Sequence, residues 1–420
     1  MKRMSLLKSI TAAAVVGAGA FAAAPAISAD VDGVMDPIRV VKVRAGEPIV
    51  VGVYTVMSGP DTALGLDQWR GVQIAADDVG DEIAGHPIRF LVEDELCSAE
   101  GGQTAATKIA ANTQTVVALG GSCSSASTPA IPIFWKAGIP DVGISPSSPA
   151  LTDPNRGEGY DGFIRVIYND LWAGKEVADW AVNVMGFKRF ATIHDGSPYA
   201  EKLVRVFQKR LAELNGELVS DEAVSPTDVD MRPVLTKIAT GKPDFIYSPT
   251  FVAATAYMLR QKQEIAGLEN TMFVGSDAAF GAQLLEAAGK DVVGFKITTT
   301  AQEVEAQGSG YAGMREKYRE MFGEYPIQGF HGNAYDAFMI AKNAIEKVAV
   351  NKDGTTYIPI SKLTAALKGT KDHPGMTGNL TCDQYGDCAV YKFAVYEFNS
   401  DDKSTLEMGK NPNRIYPESF

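Results

Sequence analysis

The chain has 420 residues, of which 45% are hydrophobic and 21% charged, and a formal net charge of −12. That length accommodates two domains of ordinary size, and that balance excludes wholesale disorder. The acidic excess argues against nucleic acid or an anionic membrane surface as a partner.

Residues 1–29 read as an export segment. Lys2, Arg3 and Lys8 precede an apolar, alanine-rich run over 10–24. Ala29 closes a signal-peptidase site with Ile27 two residues before it, and Ala24-Pro25-Ala26 is an alternative. The run is too short and too rich in alanine for a membrane span. No cysteine precedes Cys97, which argues against a lipid-anchored cysteine at the cleavage point. Loss of three cations and no acid would leave a charge of −15. The expected product is exported to a periplasm and monomeric.

The four cysteines allow three connectivities. The local pairing, Cys97 with Cys123 and Cys382 with Cys388, is preferred, because an oxidising compartment favours bridges and each pair brackets a fairly short segment. Zinc is the competing reading, but His86, His194, His331 and His373 are scattered along the chain.

Taken in order, the first elements are an edge strand over 38–43 and a core strand over 49–56, then a loop over 57–65. A helix follows with Trp69, Val72, Ala76 and Val79 on one face. Then come a strand over 86–93, a helix over 99–112, a strand over 116–119, a helix over 126–136 and a strand over 139–144. Strict alternation predicts a mostly parallel sheet covered by helices on both faces. After a glycine-rich connector over 155–162 and a short strand over 163–167, the alternation restarts. Helices are expected over 170–185, 199–214, 231–240, 253–265 and 282–288. Strands are expected over 190–194, 217–223, 245–248, 272–275 and 294–299. Two doubly wound units of similar length imply two lobes with a cleft between them, where small ligands bind.

The remainder makes no third domain. Helices over 311–321, 333–348 and 361–367 are expected to return to the first lobe, and a strand over 391–398 to the second. The turn over 380–388 carries the second cysteine pair. The chain would cross three times, with lobe 1 at 30–167 plus 301–388, lobe 2 at 168–300 plus 389–400, and a tail at 401–420.

Gly157, Gly159 and Gly162 match the GxGxxG pattern but precede a strand and open no helix, so they lack the context of a dinucleotide site. P-loop, HExxH and GxSxG patterns are absent. His194-Asp195 is a candidate hydrolytic dyad at a strand end, though a loop histidine beside a capping aspartate is the commoner arrangement. No enzyme activity, cofactor or metal is expected.

The chain is organised around 116–128, VVALGGSCSSAST, a strand–loop–helix turn. The first N–H groups of a helix are unpaired and the helix dipole adds positive charge, so such a turn attracts anions. With no lysine or arginine in the loop, it suits a small carboxylate better than a polyphosphate. Ser122, Ser124 and Ser125 follow one strand of the first lobe, and Ser145, Ser147 and Ser148 the next. Tyr199, Phe251 and Asp277 follow strands of the second. Together they suit a zwitterion, with hydroxyls and N–H groups on its carboxylate, Asp277 on its ammonium and aromatics around its side chain. Each also has a local alternative: caps for the serines, core for Tyr199 and Phe251, an N-cap for Asp277.

Several segments in order carry a resemblance: GVYTVMSGP, VEDELCSAEGGQTAATKI, GGSCSSAS, ISPSSPALTD, TIHDGSPYAEKL, DFIYSPTF, MFVGSDAAF, HGNAYDAF and MTGNLTCDQYGD. Over residues 49–398 the chain resembles the periplasmic leucine/isoleucine/valine-binding proteins of bacterial ABC importers. The resemblance implies an α/β fold of the periplasmic binding protein type I class, two Rossmann-like lobes joined by a three-crossover hinge. It implies a Cys97–Cys123 bridge, and a ligand carboxylate held by Ser124 and by Ser147 or Ser148. It places Asp277 on the α-amino group, Phe251 and Tyr199 as aromatic contacts, and Leu64 and Phe330 around the side chain. The partners implied are a small amino acid, branched-chain or otherwise apolar, and the importer's permease subunits. Binders of an amide, urea or an aromatic carboxylate in the same role are the alternative, as is a ligand-sensing regulatory module.

Overall fold

The computed structural model describes residues 29–419. The expected export segment lies outside them apart from Ala29, which begins a short hairpin, Ala29–Val31 with Val34–Asp36.

Two sheets organise the chain. The first runs, in spatial order, Glu82–Ile83, His86–Asp94, Ile49–Thr55, Thr115–Gly120, Asp141–Gly143 and Phe163–Arg165. All neighbours are parallel except the first pair. Ile49–Thr55 is buried at every position, as expected of a strand with helices on both faces. The second sheet runs Glu217–Ala223, Arg189–His194, Phe245–Tyr247, Met272–Ser276 and Lys296–Thr300, all parallel. Phe393–Glu397 and Asn413–Tyr416 extend it antiparallel. The last of these comes from the tail beyond residue 400, for which no strand was expected.

The helices that follow the second sheet in sequence pack on the first. Tyr311–Phe322 and His331–Val348 lie against Thr62–Asp78. Close approach explains Gly71, where a Cβ would lie 2.2 Å from the His331 carbonyl. The polypeptide thus passes from one sheet to the other after Arg165, after Thr300 and before Phe393. The apolar run after residue 37 forms an edge strand, as expected, but in a sheet of its own. Val40–Arg44 joins a separate antiparallel sheet with Thr355–Pro359 and Val350–Lys352. The helix over 170–185 is α-helical through Asp179 and closes with a π-turn, Trp180–Val184.

In each half the strand order reverses beside a central strand that comes first in the chain, Ile49–Thr55 in one and Arg189–His194 in the other. Chains leaving the carboxyl ends at such a switch point diverge to opposite faces and open a crevice. In the first half the switch lies between Ile49–Thr55 and Thr115–Gly120. In the second it lies between Arg189–His194 and Phe245–Tyr247. The two crevices face each other. An apolar cluster drawn from both halves, including Leu64, Cys123, Ile167, Tyr199, Phe330 and Val395, surrounds the space between them.

Candidate functional site

That space is lined by Leu64, Ser122, Cys123, Ser124, Ser145, Ser147, Ile167, Tyr168, Tyr199, Phe251, Asp277, Ala278 and Phe330. Seven of the eight predicted ligand-binding positions are therefore brought together: Leu64, Ser124, Ser147, Tyr199, Phe251, Asp277 and Phe330. Ser148 is not among them. It is fully buried, its N–H donates to Ser124 Oγ at 3.1 Å, and its hydroxyl donates to the Pro198 carbonyl across the two halves at 3.1 Å.

The organising turn is built as the sequence suggested, with one redistribution. Gly120 has φ +149°, and a Cβ there would lie 2.1 Å from the Tyr54 carbonyl, so only glycine lets the strand turn here. The helix Ser124–Lys136 begins directly after Cys123. However, the N–H groups of Ser122 and Cys123 donate inward to Glu95 Oε1, at 2.9 and 2.8 Å. Burial pushes the Glu95 carboxyl well above the usual range, against the pull of those two N–H groups. Among the described residues no acceptor faces the N–H groups of Ser124 and Ser125, at the helix's first two positions. Ser124 Oγ accepts from Ser148 and keeps its own proton free to donate.

Ser122 and Ser145 line the cavity but have their hydroxyls committed. Ser122 Oγ donates to Gln68 Oε1 at 2.7 Å, Gln68 Nε2 donates to Ser145 Oγ at 2.6 Å, and Ser145 Oγ donates to the Ser122 carbonyl at 2.7 Å. Gln68, fully buried, thus ties the two serine loops to the helix that carries Leu64. The disulfide Cys97–Cys123 fixes the turn from the other side.

The opposite wall is aromatic and acidic. Tyr199 and Phe251 lie with ring centroids 5.7 Å apart, and Tyr199 donates to Ser276 Oγ at 2.8 Å. Asp277, 5% exposed, accepts from Tyr168 at 2.6 Å and from Thr299 at 2.7 Å. Burial pushes its carboxyl up, against the pull of those hydroxyls. No lysine or arginine lines the cavity among the described residues. Asp277 is the first residue inside the short 3₁₀ turn Asp277–Ala279, whose cap position is taken by Ser276, so the N-cap alternative for Asp277 does not hold.

Sequence reasoning missed Ile167, Tyr168 and Ala278 as lining residues, and Asp170 beneath them. Ile167, Tyr168 and Asp170 stand where the chain first changes halves. The signal available was Asn169, which caps the helix Asp170–Asp179 and so marks the end of the crossing. Asp170 accepts from Ser147 Oγ at 2.9 Å and is 1% exposed. Burial pushes it up to about 7, against the pull of the Ser147 hydroxyl and the charge of Arg165.

The second cysteine pair acts on the site at one remove. The bridge Cys382–Cys388 closes a turn in which Asp383 Oδ1 accepts the N–H groups of Tyr385, Gly386 and Asp387. Asp387 then binds Arg165 Nε at 2.6 Å. Arg165 is wholly buried and donates to the carbonyls of Pro146 and Ser148, each at 2.9 Å, and to Thr152 at 2.7 Å. The loop that presents Ser147 therefore hangs from this arginine.

His194 and Asp195 do not act on each other. Gly196 N–H donates to His194 Nδ1, Ser197 N–H to Asp195 Oδ1, and Arg205 faces His194 Nε2. Among the described residues no three His, Cys, Asp or Glu gather as a metal site, and no helix is long and apolar enough to cross a membrane.

The family model described as a periplasmic binding protein matches residues 48–403. An amino acid binding protein of Pseudomonas aeruginosa is 27% identical over 361 residues, covering 84% of this chain and 91% of that one. The Leu/Ile/Val-binding protein of Escherichia coli is 23% identical over 363 residues, covering 86% and 93%. Among solved structures, the leucine binding protein LivK of Thermotoga maritima aligns with a TM-score of 0.75 at 23% identity, over 84% of this chain and 96% of that one. An ABC transporter solute binding protein of R. palustris in complex with benzoate aligns with a TM-score of 0.72 at 18% identity, over 89% and 99%. The opposed crevices, the interwoven halves and the match across most of the chain agree, and the chain belongs to the periplasmic binding protein family.

Proposed function

We propose that this protein is the periplasmic receptor of an ABC importer, capturing an amino acid with an apolar side chain between its two halves and delivering it to the permease. The observation that carries this reading is the opposed polarity of one buried cavity. Unpaired helix N–H groups and the Ser124 hydroxyl stand on one wall, and Asp277, with no cation beside it among the described residues, on the other. A carboxylate fits the first and an ammonium the second. Leu64, Tyr199, Phe251 and Phe330 enclose what lies between. Four or five hydrogen bonds to charged groups, each about 1.5–3 kcal/mol less ordering costs, bring micromolar affinity, about −8 kcal/mol, within reach. Function then consists of closure alone, since the guest adds contacts that exist only when the halves meet.

The aromatic wall also suits an aromatic acid, but such a guest leaves Asp277 buried and unpaired, which favours the zwitterion. The test is a thermal-shift screen of amino acids, amides and carboxylates. A true ligand at a hundred times its Kd adds about 2.7 kcal/mol of stability. A response confined to carboxylates without an amino group would remove Asp277 from the role assigned to it.

A further inference from the structure

Ser147 has one hydroxyl proton and two claims on it. Its Oγ lines the cavity, and it donates to Asp170 Oδ2 at 2.9 Å. Asp170 lies behind it at the start of its helix, 1% exposed, and its N–H donates to the Ser147 carbonyl at 3.1 Å. The pair is thus locked together at backbone and side chain. While Asp170 is ionised, Ser147 spends its proton inward and shows the cavity only lone pairs. A carboxylate placed there meets an acceptor. If Asp170 carries a proton, the bond reverses: the acid donates to Ser147 Oγ, and the hydroxyl is released to donate to the guest.

The surroundings do not hold Asp170 in either state. The cation nearest it in charge, Arg165 on the last strand of the first sheet, is committed to Asp387 and to the carbonyls of Pro146 and Ser148. Asp277 faces it from the second half and disfavours ionisation. Tyr168, Tyr199, Tyr247 and Tyr391 complete the shell, all buried phenols whose titration burial drives far upward, so they stay neutral.

Building on the amino-acid reading, we propose that Asp170 is a positioning residue that sets the polarity of Ser147, and that capture of the ligand carboxylate takes up one proton at Asp170. No bond other than hydrogen bonds changes: the proton comes from solvent, rests on Asp170, and leaves with the ligand.

The sign follows. Asp170 sits at about 7 in the ligand-free protein, so above that pH the acid must be protonated on binding. Affinity then falls up to about tenfold per pH unit on the alkaline side. Asp277 acts oppositely, because an ammonium requires its ionised form, and limits affinity on the acid side.

The experiment is isothermal titration of the whole protein with L-leucine and L-phenylalanine between pH 6 and 8.5, in buffers of different ionisation enthalpy. Wild type should take up close to one proton per ligand near pH 8. Asp170→Asn supplies a permanent donor to Ser147, so it should bind with no uptake and a flat alkaline limb. Ser147→Ala should bind more weakly and also without uptake. A purely structural role for Asp170 would lower stability but leave the alkaline slope in place, and retention of that slope in Asp170→Asn overturns the proposal. Binding by wild type without proton uptake overturns it too, leaving the receptor reading intact. Absence of binding by any amino acid at any pH removes both.

Discussion

The phenol of Tyr168, on the segment that carries the chain from the first half into the second, donates to the Asp277 carboxylate at 2.6 Å. The acid assigned to the guest's ammonium is therefore pre-oriented by the hinge itself. Tyr168→Phe removes one charge-assisted hydrogen bond, worth about 1.5–3 kcal/mol. Amino-acid affinity should fall roughly tenfold or more by calorimetry, and the acid limb of the binding profile should move to higher pH.

Asp277→Asn separates site from scaffold. A buried carboxylate with two hydroxyl donors and no cation is costly to keep ionised. The variant should lose amino-acid binding by about two orders of magnitude while its ligand-free melting temperature at pH 7.5 stays unchanged or rises. A large drop in the ligand-free melt with unchanged affinity would mean the residue serves only to start its 3₁₀ turn.

Ligand-free stability should decline as pH rises from 5 to 8. Asp170 is pushed up to about 7, and Asp61 and Asp336 each to about 6, chiefly by burial. An acid whose folded value lies above its unfolded value binds more protons when folded. Its contribution is fully present below the unfolded value and is lost through the folded one, by at most about 1.4 kcal/mol per pH unit for each group. Denaturant midpoints across that range measure the slope, and Asp336→Asn should flatten its lower part.

Reduction should act on the site through the first bridge. Cys97 and Cys123 are 26 residues apart, and closing such a loop stabilises by about 3–4 kcal/mol in the chain-entropy model. Paired serine substitutions should lower stability by that order and weaken amino-acid binding as well, because Cys123 immediately precedes the helix that offers the free N–H groups.

Gln68→Leu tests the serine loops. It leaves Ser122 and Ser145 buried without their shared partner, which costs about 1–3 kcal/mol for each unsatisfied group. Stability should fall, and affinity should fall with it, since both loops lose their tie to the helix bearing Leu64.

The alternation of strands and helices was legible because buried parallel strands are short unbroken apolar runs, as at 49–55 and 115–120. The residues after them were legible as site candidates for the same reason, since function collects at the carboxyl ends of such strands. Two things were not. The commitment of the Ser122 and Cys123 N–H groups to Glu95 joins partners about 27 residues apart, and nothing in a local pattern announces it. The small sheet at 350–359 was overlooked although Asp353-Gly354 between two alternating runs is a hairpin signal.

The strand Asn413–Tyr416 finishes the second sheet. Without it, the backbone of Phe393–Glu397 would present a bare row of donors and acceptors, a template on which another molecule can dock strand to strand. A version cut back to residue 400 would thus keep its cavity yet become sticky along that rim. Appendages at the carboxyl terminus would hang from the outermost edge of the sheet.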